Sequence, residues 1–210
     1  MTNPIIPLGS TCGIAYLLQT NKLRTCAYPF DWIRTDSLQD IISCLENDFI
    51  DFLKVTKVSE SDKFPFLQSD EFPTVNDNTD NTDIMVNKYG MKFYHDFKKD
   101  NIADVAEKYA RRIEKFIRTI CESKEIIFIR DELKMKSLSI PLIEKFISLI
   151  KSKYNSGIII KFYVIYHNPK NKKIDVPEND NIIIINDVLP FVDWKRPNID
   201  LSFLNCSIKK

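Results

Sequence analysis

A thiol paired with an imidazole is one of the few side-chain combinations that makes a nucleophile near neutral pH, and this chain holds five cysteines but only two histidines. Cys12 has the most suggestive setting. It lies in residues 5–32, IIPLGSTCGIAYLLQTNKLRTCAYPFDW, where the apolar run Ile5-Ile6-Pro7-Leu8 reads as a buried strand and Gly9 as a turn. Apolar residues then recur at Ile14, Leu17 and Leu18, a helical face running on to Arg24, with Ser10 and Thr11 as good N-cap residues ahead of it. Cys12 is thus expected in or just before a first helical turn, where free N–H groups and the helix dipole favour an anion and lower a thiol pKa. Gly9 and Gly13 on either side leave room for a backbone or a substrate to come close.

A nucleophilic Cys12 needs a base, and the base needs an acid to orient it. His95 sits in a short aromatic segment, YHDF, directly before Asp96. His167 ends an apolar run. Asp31, beside Trp32, either caps a helix or enters a site. Backbone N–H groups at 10–13, including those of Gly9's neighbour Ser10 and of Gly13, would make an oxyanion hole. Each of these residues also has a plainer reading, as a packed thiol, a half-buried ring or a cap.

The elements that must position them follow from periodicity. Apolar residues at 38, 41, 42, 45, 49, 52 and 53 predict a helix over 37–53 opened by Ser37, and Ala106, Tyr109, Ile113, Phe116 and Ile120 mark a long helix over 101–123. A third helix is predicted over 139–154, with Pro141 near its start, where proline is tolerated. Residues 125–130 (EIIFIR), 157–167 (GIIIKFYVIYH) and 181–186 (NIIIIN) read as near-continuous apolar strands, the signature of a parallel sheet covered on both faces. The expected fold is α/β: a mostly parallel sheet flanked by helices on both faces, three-layered and Rossmann-like or SGNH-like, in a single domain over 1–210. Residues 54–88, rich in Asp, Asn and Pro, are expected to be a mobile loop insertion. Their Asn/Asp run lacks the glycine and glutamate that a calcium-binding EF-hand loop requires. In a parallel sheet ligands bind at the carboxyl ends of strands, and Gly9–Cys12, Arg130-Asp131, His167 and Asn186-Asp187 all come just past predicted strand ends.

Bulk properties narrow the classes. Thirty basic residues against twenty-nine acidic ones give a net charge of +1, which makes no electrostatic case for nucleic acid. Apolar runs fall far short of the ~20 residues of a membrane span, and the start, MTNPIIPLGS, does not read as a secretory signal. Odd, scattered cysteines without a CxxC pair suit a reducing compartment and imply neither a disulfide framework nor a metal site. A cytoplasmic location, in the host if the source is viral, and no cofactor are expected. The frequent Ile, Lys and Asn suggest an AT-rich genome, viral or microbial.

Several pieces together resemble a known family. LGSTC at 8–12, AYPFDW at 27–32, YHDF at 94–97, KYARRIEKF at 108–116 and IFIR at 127–130 are similar to a family of uncharacterised bacterial and large-DNA-virus proteins described as papain-like cysteine peptidases. The resemblance implies Cys12 as nucleophile, His95 as general base and Asp31 or Asp96 as the orienting acid, acting on a peptide or acyl-type substrate. The glutamine that papain-like enzymes carry ahead of the cysteine is missing. Two other readings stay open. The opening strand–GSxC–helix also resembles the first motif of SGNH-type esterases and acyltransferases, with Ser10 or Cys12 as nucleophile and His167 as the alternative base. A non-catalytic module would instead use Arg112 and Arg130 to hold a phosphate- or carboxylate-bearing ligand.

Overall fold

The computed structural model describes residues 3–60, 82–97, 101–132, 139–174, 179–189 and 195–204. In chain order the elements are β1 (Ile5–Pro7), α1 (Gly13–Thr20), β2 (Ile33–Arg34), α2 (Leu38–Glu46), β3 (Val55–Glu60), β4 (Thr82–Asn87), β5 (Lys92–Phe93), α3 (Ile102–Glu122), β6 (Glu125–Glu132), α4 (Ile140–Lys153), β7 (Ile159–His167) and β8 (Ile182–Asp187). The apolar runs do become one parallel sheet, in the order β1-β6-β7-β8. Alternation along the strands divides the core. Ile126, Phe128, Phe162 and Val164 face one way, into a cluster with Ile41 of α2, Phe116 of α3 and Phe146 of α4. Ile127, Ile129, Tyr163 and Ile165 face the other, against Ile14, Leu17 and Leu18 of α1 and Leu201 and Leu204 near the end of the described chain. Helices therefore cover both faces, the α/β architecture that near-continuous apolar strands require.

Three local features differ from the pattern in the sequence. Cys12 itself is the N-cap of α1, and it has helical backbone angles and no capping side-chain bond; Thr11 Oγ1 instead accepts from the Gly13 N–H at 3.2 Å. The helix stops at Thr20, because Lys22 turns left-handed at φ 56° and the Leu23 N–H closes back onto the Leu18 carbonyl. The second helix is also shorter than its apolar spacing suggests. Asp48, Phe49 and Asp51 have positive φ, so the chain leaves α2 after Glu46 and swings Phe49 and Phe52 onto Phe30, with ring centroids 5.9 and 6.4 Å away.

The third difference is a second sheet. Residues 54–88 are not one loop: β3 and β4 pair antiparallel across its two ends, and β5 and β2 extend them in the order β2-β5-β4-β3. A turn through Lys88, Tyr89 and Gly90 (φ 78°) joins β4 to β5. Asn87 braces that turn by accepting from the Tyr89 and Met91 N–H groups at 3.0 and 3.1 Å. Strands of two residues, such as β2 and β5, have no period to detect, and the polar β3 is exposed along much of its length. The Asn/Asp run over 76–81 lies outside the described residues. Among the described residues no helix is long and apolar enough to cross a membrane.

Candidate functional site

Gly9 shows why LGSTC and PFDW occur together. A Cβ at Gly9 would lie 2.8 Å from the Ile33 carbonyl oxygen and 2.9 Å from that of Phe30, closer than carbon and oxygen approach without something shifting. Only glycine lets these two backbones cross. Thr35 then donates its hydroxyl to the Gly9 carbonyl, and Arg130 reaches over from β6 to lock the crossing. Its Nη1 donates to the Leu8 carbonyl at 3.1 Å and to Thr35 Oγ1 at 2.8 Å, while its Nε pairs with Glu132 at 2.7 Å. Arg130 is 1% exposed. It is a brace whose guanidinium is committed to protein groups, so a ligand-binding Arg130 has no support in this geometry.

The parallel sheet brings the expected strand-end residues to one edge, but in two separate groups. The first is buried. The Ser10 hydroxyl donates to the Asp131 carbonyl. His167 Nδ1–H donates to Asp187 Oδ2 at 2.7 Å, across the paired ends of β7 and β8. Arg196 joins the group, with Nη2 2.6 Å from Asp187 Oδ2 and Nε 2.9 Å from Asp131 Oδ2. Burial alone would raise the Asp187 carboxyl, but the His167 hydrogen bond and the Arg196 guanidinium outweigh it and hold the group below its ordinary range. Burial dominates at Asp131, whose carboxyl is pushed up. Every member of the group is under 9% exposed.

The second group surrounds Cys12, which is half-buried. The lowered pKa expected of a thiol at a helix start is absent. Burial, and after it the Asp96 carboxylate, push the Cys12 thiol up to about 12, against a smaller lowering by Arg34. The helix end is outweighed because desolvation penalises the anion more than the dipole favours it. Asp96 accepts from the Tyr109 hydroxyl at 2.6 Å and pairs with Lys108 at 2.7 Å. Arg34 donates to the Tyr94 hydroxyl at 3.1 Å and lies over that ring. Arg112, one turn on from Tyr109, lies over its ring at 5.1 Å. His95, between Tyr94 and Asp96, is exposed; among the described residues no hydrogen bond joins Cys12 to His95 or His167.

Asp31 belongs to the same region by a different route. It is fully buried and pairs with Arg24, which also bonds Gln19 and lies over the Trp32 ring. Of the residues singled out in the sequence, the fold therefore brings Asp96 to the Cys12 rim, with His95 exposed beside it in the chain, Arg112 joined through Tyr109, and Asp31 tied in through Arg24. Ser10 and His167 go to the buried group, and Arg130 to the brace. The parts played by Arg34 and Tyr109 around Cys12, and by Arg24, Tyr94 and Lys108 around those residues and Asp31 and Asp96, were not legible in the sequence. The i, i+3 spacing of Tyr109 and Arg112 was the one available signal, since it puts both on one helix face. Among the described residues no group of three His, Cys, Asp or Glu is placed to hold a metal ion.

Comparison with known proteins adds a family. The chain matches the family model described as "Putative papain-like cysteine peptidase (DUF1796)" over residues 3–169. It is 35% identical over 212 residues to "Uncharacterized protein R408" of Acanthamoeba polyphaga mimivirus, with 93% of each chain covered. No solved structure matches. The matched stretch contains every residue of the Cys12 group. Asp187 and Arg196 of the buried group lie beyond it.

Proposed function

We propose, from the premise that this chain belongs to the family described as "Putative papain-like cysteine peptidase", that it is a thiol hydrolase of peptide or acyl bonds, with Cys12 the nucleophile and His95 the general base. The observation that carries the reading is that the Asp96 carboxylate acts through its field on the Cys12 thiol. It brings the YHDF segment, and with it an exposed imidazole one residue away, to the first turn of α1. Cys12 keeps its proton in the resting protein, so catalysis here does not start from a standing thiolate–imidazolium pair. Bound substrate would bring His95 onto Sγ. As the imidazole takes the thiol proton, sulfur attacks the acyl carbon, and backbone N–H groups of the turn over 10–12 receive the developing oxyanion, the Gly13 N–H being held by Thr11. The C–N or C–O bond then breaks, His95 returns the proton to the leaving group, and water hydrolyses the thioester. Asp31, tied to Arg24 behind Trp32, holds the rim and does not touch the imidazole in this state.

The His167–Asp187 hydrogen bond favours one alternative, an esterase or acyltransferase built on Ser10 at the same sheet edge. The full burial of His167 counts against it. An activated ester separates the two. Under the thiol reading Cys12→Ala abolishes turnover, His95→Ala lowers kcat/KM by about 10²–10⁴-fold, and Ser10→Ala leaves a working enzyme. Turnover that survives in Cys12→Ala and is lost in Ser10→Ala would transfer the assignment to the buried group. The raised thiol has its own signature: iodoacetamide labelling of Cys12 should climb roughly tenfold per pH unit through the alkaline range, because only the thiolate reacts. A plateau at or below the range of a free thiol would contradict the desolvated setting.

A further inference from the structure

We infer that the substrate of Cys12 carries a carboxylate, received by Arg112; the inference rests on the thiol-hydrolase reading and adds a substrate class to it. Four cations belong to this region: Arg34 acts on the Cys12 thiol, Lys108 pairs with Asp96, Arg24 pairs with Asp31, and Arg112 acts on Arg24. Asp31 is paired with Arg24 through Oδ2, its buried Oδ1 having no hydrogen-bond partner among the described residues, and Asp96 is paired with Lys108 and Tyr109. Among the described residues Arg112 is left with no carboxylate. Its Nη1 is buried and has no hydrogen-bond partner among the described residues, while the side chain as a whole is half-exposed.

A buried guanidinium nitrogen without an acceptor is costly, and proteins fill such positions. Arg24 sharpens the point. After its own burial, the field of Arg112 is the next cause lowering its pKa, so the two like charges repel each other. An anionic group docking on Arg112 would satisfy the open nitrogen and relieve that repulsion in one step. The planar fork of an arginine suits a carboxylate, and the guanidinium carbon lies over the Tyr109 ring, 5.1 Å from its centre. The hydroxyl of the same Tyr109 donates to Asp96, whose charge acts on the Cys12 thiol, so Arg112 belongs to the group of residues around the nucleophile. In a peptide that carboxylate is either a free C-terminus or an acidic side chain near the scissile bond.

Two alkylating reagents test this on the intact chain. In each, sulfur displaces iodide from carbon and the thiol proton is released; iodoacetate carries the carboxylate and iodoacetamide does not. At alkaline pH, the ratio of iodoacetate to iodoacetamide rates should be about tenfold higher at Cys12 than at the exposed Cys121, the equivalent of about 1.4 kcal/mol. Arg112→Gln should remove that preference and Arg112→Lys should keep part of it, the ratio of the two reagents cancelling any change in the thiol's own reactivity. A thermal melt confirms that the variants are folded. Equal ratios at the two cysteines, or a preference untouched by Arg112→Gln, overturn the carboxylate site and leave the thiol reading standing. A Cys12 that takes neither reagent overturns both. Protection of Cys12 by N-acetylalanine identifies a C-terminal carboxylate, and protection by N-acetylaspartic acid α-amide an acidic side chain. Protection by neither beyond that given by N-acetylalanine amide also overturns the inference.

Discussion

Replacing Arg130 with methionine tests whether this arginine is the brace of the Cys12 turn. Methionine has a similar reach and no charge, so the change removes the guanidinium without opening a large void. What it leaves behind sets the magnitude. Glu132 loses its 2.7 Å partner while 5% exposed, and the Leu8 carbonyl and Thr35 hydroxyl lose their donors. Stranding one member of a buried ion pair costs about 3–5 kcal/mol. At 2–4 °C per kcal/mol for a chain of this size, Tm should fall by roughly 6–20 °C. Urea unfolding followed by far-UV circular dichroism measures the loss, and Arg130→Met/Glu132→Gln forms the double-mutant cycle. Neutralising the stranded acid should recover at least ~1 kcal/mol, the coupling expected of residues in direct contact. Because Thr35 holds the Gly9 carbonyl, the single variant should also loosen the turn and speed alkylation of Cys12. A single variant within ~1 kcal/mol of the parent, or a double variant no better than the single, would refute the brace.

Gly9→Ala should cost about 1–3 kcal/mol, since its Cβ meets two backbone carbonyls that cannot rotate away; a urea midpoint unchanged from the parent would mean the crossing is looser than described. Asp187→Asn probes the buried group through pH. The folded carboxyl lies below its ordinary value of 3.8, so its contribution is present above that value and is lost as pH falls through the lower, folded one. The acid limb of the stability profile should therefore be shallower in Asp187→Asn. The raised Asp131 acts in the opposite sense, and the informative quantity is the difference between the two proteins. A parallel acid limb in both would show that His167 and Arg196 do not hold the Asp187 charge.

Periodicity was enough to read the parallel sheet and its helices, because apolar strands buried on both faces and a 21-residue amphipathic helix each repeat long enough to show their period. It failed on β2 and β5, two residues each, and on the end of α2, where left-handed residues redirect Phe49 and Phe52 into a core their spacing alone would have kept helical. The strand-end rule brought Ser10, Arg130, Asp131, His167 and Asp187 to one edge. It could not tell a committed brace from an open site, since hydrogen-bond saturation depends on partners distant in the chain, such as Thr35 for Arg130 and Arg196 for Asp187.

The sequence by itself determined the α/β class, the family and the place of Cys12 at the head of a helix, all of which rest on local spacing and short motifs. The tertiary structure alone decided the state of that thiol. A helix start favours the anion through a field that fades within a turn, whereas the thiol's desolvation comes from its burial and the Asp96 charge from a segment after β5 that Tyr109 and Lys108 of α3 hold. That packing joins residues some eighty to a hundred positions apart, and in a half-buried setting it prevails.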